Sequence, residues 1–322
     1  MNEVLLSHEV IIFLLGETIL YLLLFVAFLA TPRLLMHWDF ERFTAEQFRL
    51  ENRSYLIMTI LFVLLILKIL LLPYFIYTID KLSDIVPGAM CAAGIIKANS
   101  YGNPLLALKI VILFLSGFWI TINHLDLQAK TYPYTRYKFW FFLLIFLLMS
   151  FEIAGDFLYL SHIETSKPVS CCSVIFGQNT GANALPFGLD TSRLLILFGL
   201  LYLLIVSTTL LGMHSIVTLV NLLFLPIAYY AVVYFFGTYI YELPTHKCPF
   251  CMLQSDYYFV GYAVWGLLLG GVFVSIDYAL SNKLFGQGSE RLRWISLLLL
   301  TLFVLLCSSF VLLYYLKNGV FL

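Results

Sequence analysis

Cys248 and Cys251 stand three apart in the stretch His246-Lys247-Cys248-Pro249-Phe250-Cys251. Two cysteines at this spacing can close a short disulfide, and a stabilised thiolate is both the attacking and the leaving group of thiol–disulfide exchange. His246 and Lys247 supply positive charge beside the first sulfur. An apolar stretch follows at once, which predicts that the pair opens a helix whose unpaired amide groups favour a thiolate. Three more cysteines lie in polar connections, Cys91 in "PGAMCAAG" and Cys171 with Cys172 in "PVSCCSVIFG", while Cys307 sits in an apolar run and reads as an inert core thiol. The same sulfurs would also serve two other chemistries. One is static bridging of loops. The other is Cu(I) binding, for which Met90, Met252 and His246 add suitable ligands. Zinc would need two further ligands at a spacing that the chain lacks.

The elements that must hold these residues are set by composition. Hydrophobic residues make up 62% of the 322 and charged residues 11%, and the mean hydropathy is +0.96, far beyond what a soluble core requires. Lys+Arg and Asp+Glu balance at 18 each, so no basic surface points to nucleic acid, and no P-loop or GxGxxG is present. A hydrocarbon core about 30 Å thick takes roughly 20 apolar residues per helix. Eight such runs are predicted, near 10–30, 55–78, 104–124, 137–160, 192–211, 215–240, 255–278 and 294–316. The fold class expected is an all-α polytopic membrane protein, a bundle of about eight transmembrane helices. The first run carries Glu17 and no basic leader, and reads as a retained span. Loops after spans one, three, five and seven hold the larger share of Lys and Arg. That bias places both termini and the cysteine loops on the extracytoplasmic side of a cell membrane, where oxidising conditions suit disulfide chemistry.

Charge inside the spans is the second unusual feature, since an unpaired ionisable side chain in hydrocarbon costs at least ~2.5–3.5 kcal/mol on insertion scales. Glu17, Lys68, Lys109, Glu152 and Asp156 all fall there. Glu152 and Asp156, four apart on one helix face, are candidates for a proton route; pairing with Lys68 or Lys109 to fix helix packing is the other reading. Among the many aromatic residues near the cysteine pair, Tyr234, Tyr239 and Tyr257 are candidates to face a quinone ring, the rest reading as an interfacial belt. Gly266 and Gly270 form a GxxxG that predicts close helix packing behind the pair.

A span, an external loop with Cys172-Ser173-Val174 and Pro186-Phe187-Gly188, two spans joined by a short turn, and then Cys248-Pro249-Phe250-Cys251 succeed one another in the second half. This order resembles the vitamin K epoxide reductase family over residues 137–278. The resemblance implies that Cys251 reacts with a membrane quinone, that Cys248 exchanges with Cys172, and that Ser173 lies on the quinone side. It also implies a separate thiol protein, of thioredoxin-like kind, as electron partner. The family's second loop cysteine is missing from "SHIETSKP"; Cys171 is adjacent to Cys172 instead, and Cys91 is the extra candidate. On this basis the chain divides into a three-helix segment, 1–136, and a five-helix redox bundle, 137–322.

Overall fold

The computed structural model describes residues 3–37, 44–129, 132–169, 188–286 and 290–322. Regular structure among these is helical throughout, without a strand. Eight of the helices are long and apolar enough to cross a membrane, and the chain is an all-α, multi-pass membrane protein. In sequence order the helices are α1 (His8–His37), α2 (Ala45–Lys81), α3 (Ala92–Ile96), α4 (Gly102–Gln128), α5 (Thr135–Ser161), α6 (Thr191–Leu210), α7 (His214–Ala231), α8 (Gly237–Tyr241), α9 (Val260–Phe285) and α10 (Glu290–Asn318). Between 22% and 50% of each spanning window is buried by protein. Outward-facing side chains such as Leu15, Leu22 and Val26 of α1, or Leu200 and Leu203 of α6, are exposed, so their solvent is lipid.

Most helices overrun the predicted spans, because helical backbone bonding continues past the hydrocarbon edge, whereas α9 starts at Val260 rather than near 255. On α2 the overrun covers three turns: Thr44 caps it by accepting the Gln47 N–H at 3.3 Å, and the mixed-charge stretch from Ala45 is its first part.

Contacts divide the chain into two compact units: Met1–Pro87 with Ile95–Lys167, and Gly88–Gly94 with Pro168–Leu322. The division expected at 136/137 therefore lies elsewhere. Helix α5 goes with the first unit because Glu152 and Asp156 meet lysines of α2 and α4. Gly88–Gly94 goes with the second because Cys91 is buried against Cys248.

The first unit packs α1, α2, α4 and α5 around Leu61, Leu65, Trp119, Phe142 and Ile145. Its α4–α5 turn is pinned from inside: Lys138 pairs with Asp126 at 2.6 Å and donates to Asn123 at 2.9 Å, while Trp119 Nε1 donates to the Lys138 carbonyl at 2.9 Å. In the second unit α6, α7, α9 and α10 close on Leu194, Phe198, Phe224, Leu300 and Phe303. Cys307 is fully buried in that core, as expected of an inert thiol. One span of this unit is irregular: between α7 and α8 the helix opens into a π turn, Val232–Phe236, which adds one residue and shifts the phase of α8 relative to α7. Gly237 is required there, since a Cβ would lie 2.8 Å from the Val232 carbonyl oxygen. The span ends at Glu242, whose backbone is left-handed at φ 51.

Candidate functional site

Two clusters of reactive or ionisable side chains stand out, one in each unit. In the second unit the sulfurs of Cys91 and Cys248 are 3.6 Å apart, and one atom from each of Cys91, Cys248 and Cys251 falls within 4.8 Å of the others. All three are buried, at 0%, 3% and 3% exposure. A sulfur–sulfur distance of 3.6 Å is van der Waals contact, about 1.5 Å longer than the ~2.05 Å of a covalent bond.

The pair does not open α9, contrary to the expectation. That helix begins at Val260, and Cys251–Leu253 is a single 3₁₀ turn. Tyr258 and Phe259 interrupt the path with left-handed backbones, φ 53 and φ 55, so the cysteine pair is not the first turn of a long helix. Side chains hold the turn instead. The Tyr241 hydroxyl donates to the Cys248 carbonyl and accepts the Met252 N–H at 3.1 Å, joining the two ends of the turn. Trp265 Nε1 donates to the Pro249 carbonyl at 3.1 Å. Gln254 Nε2 donates to the Met90 carbonyl at 3.0 Å, which ties the Cys91 loop to the turn. Tyr241, Trp265 and Gln254 were not among the candidate residues of the sequence. The one signal for Tyr241 is its place at the close of an aromatic run, seven residues before Cys248.

Tyr241→Phe leaves the Cys248 carbonyl and the Met252 N–H without this partner, and is expected to cost about 1–3 kcal/mol. Thermal unfolding in lipid nanodiscs reads the loss, and faster alkylation of Cys248 in the folded protein reads the loosened turn.

No family model, curated protein or solved structure matches the chain. Geometry and charge at the thiols are therefore what the functional reading stands on.

His246 supplies that charge. Its ring stacks on Tyr241, centroids 4.1 Å apart. Burial alone would lower its pKa, but Cys248 and Cys251 more than reverse this and push it up from 6.5 to about 9. Beside ionised sulfurs the imidazolium is the favoured form. A histidine raised in the folded state contributes stability that is complete below about 6.5 and is lost as pH rises through about 9. By reciprocity the cation favours thiolate, so His246→Gln is expected to move the pH profile of Cys248 alkylation to higher pH, a shift checked with a small maleimide under reducing conditions.

Tyr257 meets Tyr241 edge-on at 4.8 Å, and burial together with Cys251 and Asp256 raises its phenol pKa, leaving a neutral donor near the thiols. Tyr234 is placed under the Lys247 ammonium, 5.0 Å from ring centre. Tyr239 is turned toward α10, packing edge-on against Tyr314 at 5.5 Å. Cys171, Cys172 and Ser173 lie outside the described residues. The predicted GxxxG does not form a contact face: among the described residues a Cβ on Gly266 would meet nothing and one on Gly270 only Leu299, at 3.8 Å. The close approach is instead at Gly261, where a Cβ would lie 2.6 Å from Met252 Cγ and 2.9 Å from its backbone carbon. Gly261→Ala is expected to destabilise by about 1–3 kcal/mol through overpacking against the residue after Cys251, whereas Gly266→Ala should leave the melting curve in place; parallel thermal scans compare the two.

The first unit carries the other cluster. Lys68 donates to both carboxylate oxygens of Glu17 at 2.5 and 2.6 Å and pairs with Glu152 Oε2 at 2.9 Å. Lys109 reaches Glu152 Oε1 at 2.7 Å, Asp156 Oδ2 at 2.9 Å and Glu17 Oε1 at 3.3 Å. Both proton-route candidates, Glu152 and Asp156, are thus members of a buried network that contains all five charged residues expected inside the spans.

Proposed function

We propose that the chain is a membrane thiol/disulfide oxidoreductase that exchanges electrons between extracytoplasmic protein thiols and a membrane quinone through Cys91, Cys248 and Cys251. The observation that carries this is the 3.6 Å contact of Cys91 with Cys248 while Cys251 stays within 4.8 Å of both. Three sulfurs mutually within 4.8 Å are an arrangement that lets a disulfide change partners without leaving the site. The resemblance of residues 137–278 to the vitamin K epoxide reductase family supports the same chemistry.

Oxidation of Cys248 and Cys251 to a disulfide releases two electrons and two protons, and a quinone that accepts both becomes a quinol. The Cys91 thiolate then attacks Cys248, releasing Cys251 as a thiol and forming a Cys91–Cys248 disulfide. The thiolate of Cys171 or Cys172 then attacks Cys91, releasing Cys248 as a thiol and forming a mixed disulfide with Cys91. A thioredoxin-like protein dithiol resolves it by attacking the loop sulfur, releases Cys91 and then the loop cysteine as thiols, and becomes a disulfide. The His246 imidazolium stabilises whichever sulfur leaves as thiolate, and the Tyr257 phenol is the proton donor on the quinone side, with Tyr234 and Ser173 as further contacts.

A second reading has its own observation. Three thiolate donors within 4.8 Å of one another can hold a soft ion such as Cu(I) as cargo, for delivery to an exported metalloenzyme. Purified protein separates the two. Quinone reduction driven by a dithiol, absent in Cys251→Ser, supports the oxidoreductase; stoichiometric Cu(I) retention without quinone turnover would replace it. Labelling of Cys171 and Cys172 in whole cells by a membrane-impermeant maleimide tests the extracytoplasmic placement.

A further inference from the structure

The charged cluster of the first unit has an odd count. Glu17 of α1, Lys68 of α2, Lys109 of α4, and Glu152 and Asp156 of α5 bring three carboxyls to two ammonium groups among the described residues. Fully ionised, they would leave one net negative charge among spanning helices, where neutralisation by a proton is favoured over burial of an unpaired ion.

Geometry selects the carboxyl. Glu17 and Glu152 each touch both lysines. Of the two lysines, Asp156 touches Lys109 alone, through Oδ2, while its Oδ1 is buried with no hydrogen-bond partner among the described residues and the residue is 0% exposed. Glu17 and Glu152 each bring a carboxylate oxygen within 4.8 Å of Asp156, like charges that favour a proton on one of the three; the Phe13 and Phe75 rings lie over Lys109 at 5.1 and 4.4 Å, and Tyr159, one turn along α5, donates its hydroxyl to the Ile95 carbonyl at 2.9 Å. Access lies beyond Lys109. Two small cavities border the cluster; Glu17 and Lys68 line both, and Lys109 with Glu152 also lines one of them. Lys68 is the most exposed of the five, at 9%.

We propose that these five side chains form an intramembrane proton-binding site, which holds one exchangeable proton on Asp156 and communicates with the cavities through Glu17 and Lys68. The titration belongs to the cluster as a whole, since removing any one charge changes the count that the others must balance. This site is read on the resting protein without turnover, so its failure leaves the thiol chemistry untouched, and the reverse.

The test is infrared difference spectroscopy of the full chain in lipid nanodiscs, with H₂O exchanged for D₂O and with pH varied around neutrality. A protonated-carboxyl band that shifts in D₂O is expected in the native protein. It should vanish in Asp156→Asn, which keeps the shape and leaves two acids for two lysines. It should vanish also in Glu152→Gln, where the same balance lets Asp156 ionise beside Lys109; this second variant serves where the first does not fold, with helix content as the check. Absence of the band in the native protein, its survival in Asp156→Asn, or its survival in Glu152→Gln would each overturn the proposal. Loss of the native band on adding sodium at constant pH would also overturn it, in favour of a cation site.

Discussion

Cys248→Ser is expected to abolish dithiol-dependent quinone reduction, a fall on the order of 10⁴-fold or more, the scale on which losing a covalent nucleophile acts. Cys248 is the sulfur in contact with Cys91, and the CxxC spacing pairs it with Cys251. Its loss leaves Cys91 and Cys251 with no shared partner. Cys91→Ser has a different signature: Cys248 and Cys251 can still cycle with the quinone, so oxidation of a small, membrane-permeant dithiol continues while oxidation of a protein substrate stops. Equal loss in both assays would mean that Cys91 is structural. Stopped-flow absorbance of quinol formation, with a reduced thioredoxin-like protein and with a small dithiol, gives both rates.

The largest stability effect is expected at Lys109. Its ammonium touches Glu17, Glu152 and Asp156 at 2.7–3.3 Å, and Lys109→Met would leave those three carboxyls with Lys68 alone. Removing one partner from a buried ionic network costs about 3–5 kcal/mol, because the charge left behind stays desolvated. Adding Glu152→Gln to Lys109→Met should recover part of the loss, as it leaves Glu17 paired with Lys68 and Asp156 neutral. Unfolding in mixed micelles measures both variants. A cost below about 1 kcal/mol, typical of exposed pairs, would contradict the buried network.

Much of the architecture was legible because membrane solvation acts on composition alone. Long apolar runs such as 294–316 must be helices in lipid, whatever packs against them, and α10 covers that run. The five intramembrane charges were legible for the same reason: each needs a partner, and the three acids and two lysines are those of the observed network. That Cys91 joins Cys248 was open in the sequence, where Cys91 was the extra candidate; the contact depends on backbone paths that spacing does not encode. Other features were hidden for identifiable reasons. Helix α9 starts nine residues after Cys251 rather than at it, since Tyr258 and Phe259 take left-handed backbones that neither residue type announces. The glycine spacing at Gly266 and Gly270 drew attention, yet the steric need is at Gly261 and at Gly271, where a Cβ would come within 2.7 Å of Leu300. Small size shows where approach is possible, and only the neighbouring helix shows where it happens. The role of Tyr241 depends on one hydroxyl reaching two backbone groups seven and eleven residues away, a closure that no local pattern contains.

Mapping of disulfides by mass spectrometry, on protein oxidised in its membrane with a soluble quinone, tests the three-sulfur centre most directly. Peptides linking Cys248 to Cys91 and Cys248 to Cys251 should both be present, and Cys251→Ser should collapse them to the Cys91–Cys248 species alone. Recovery of Cys91 as an alkylated thiol in every oxidised sample, with Cys248 linked only elsewhere, would contradict the account.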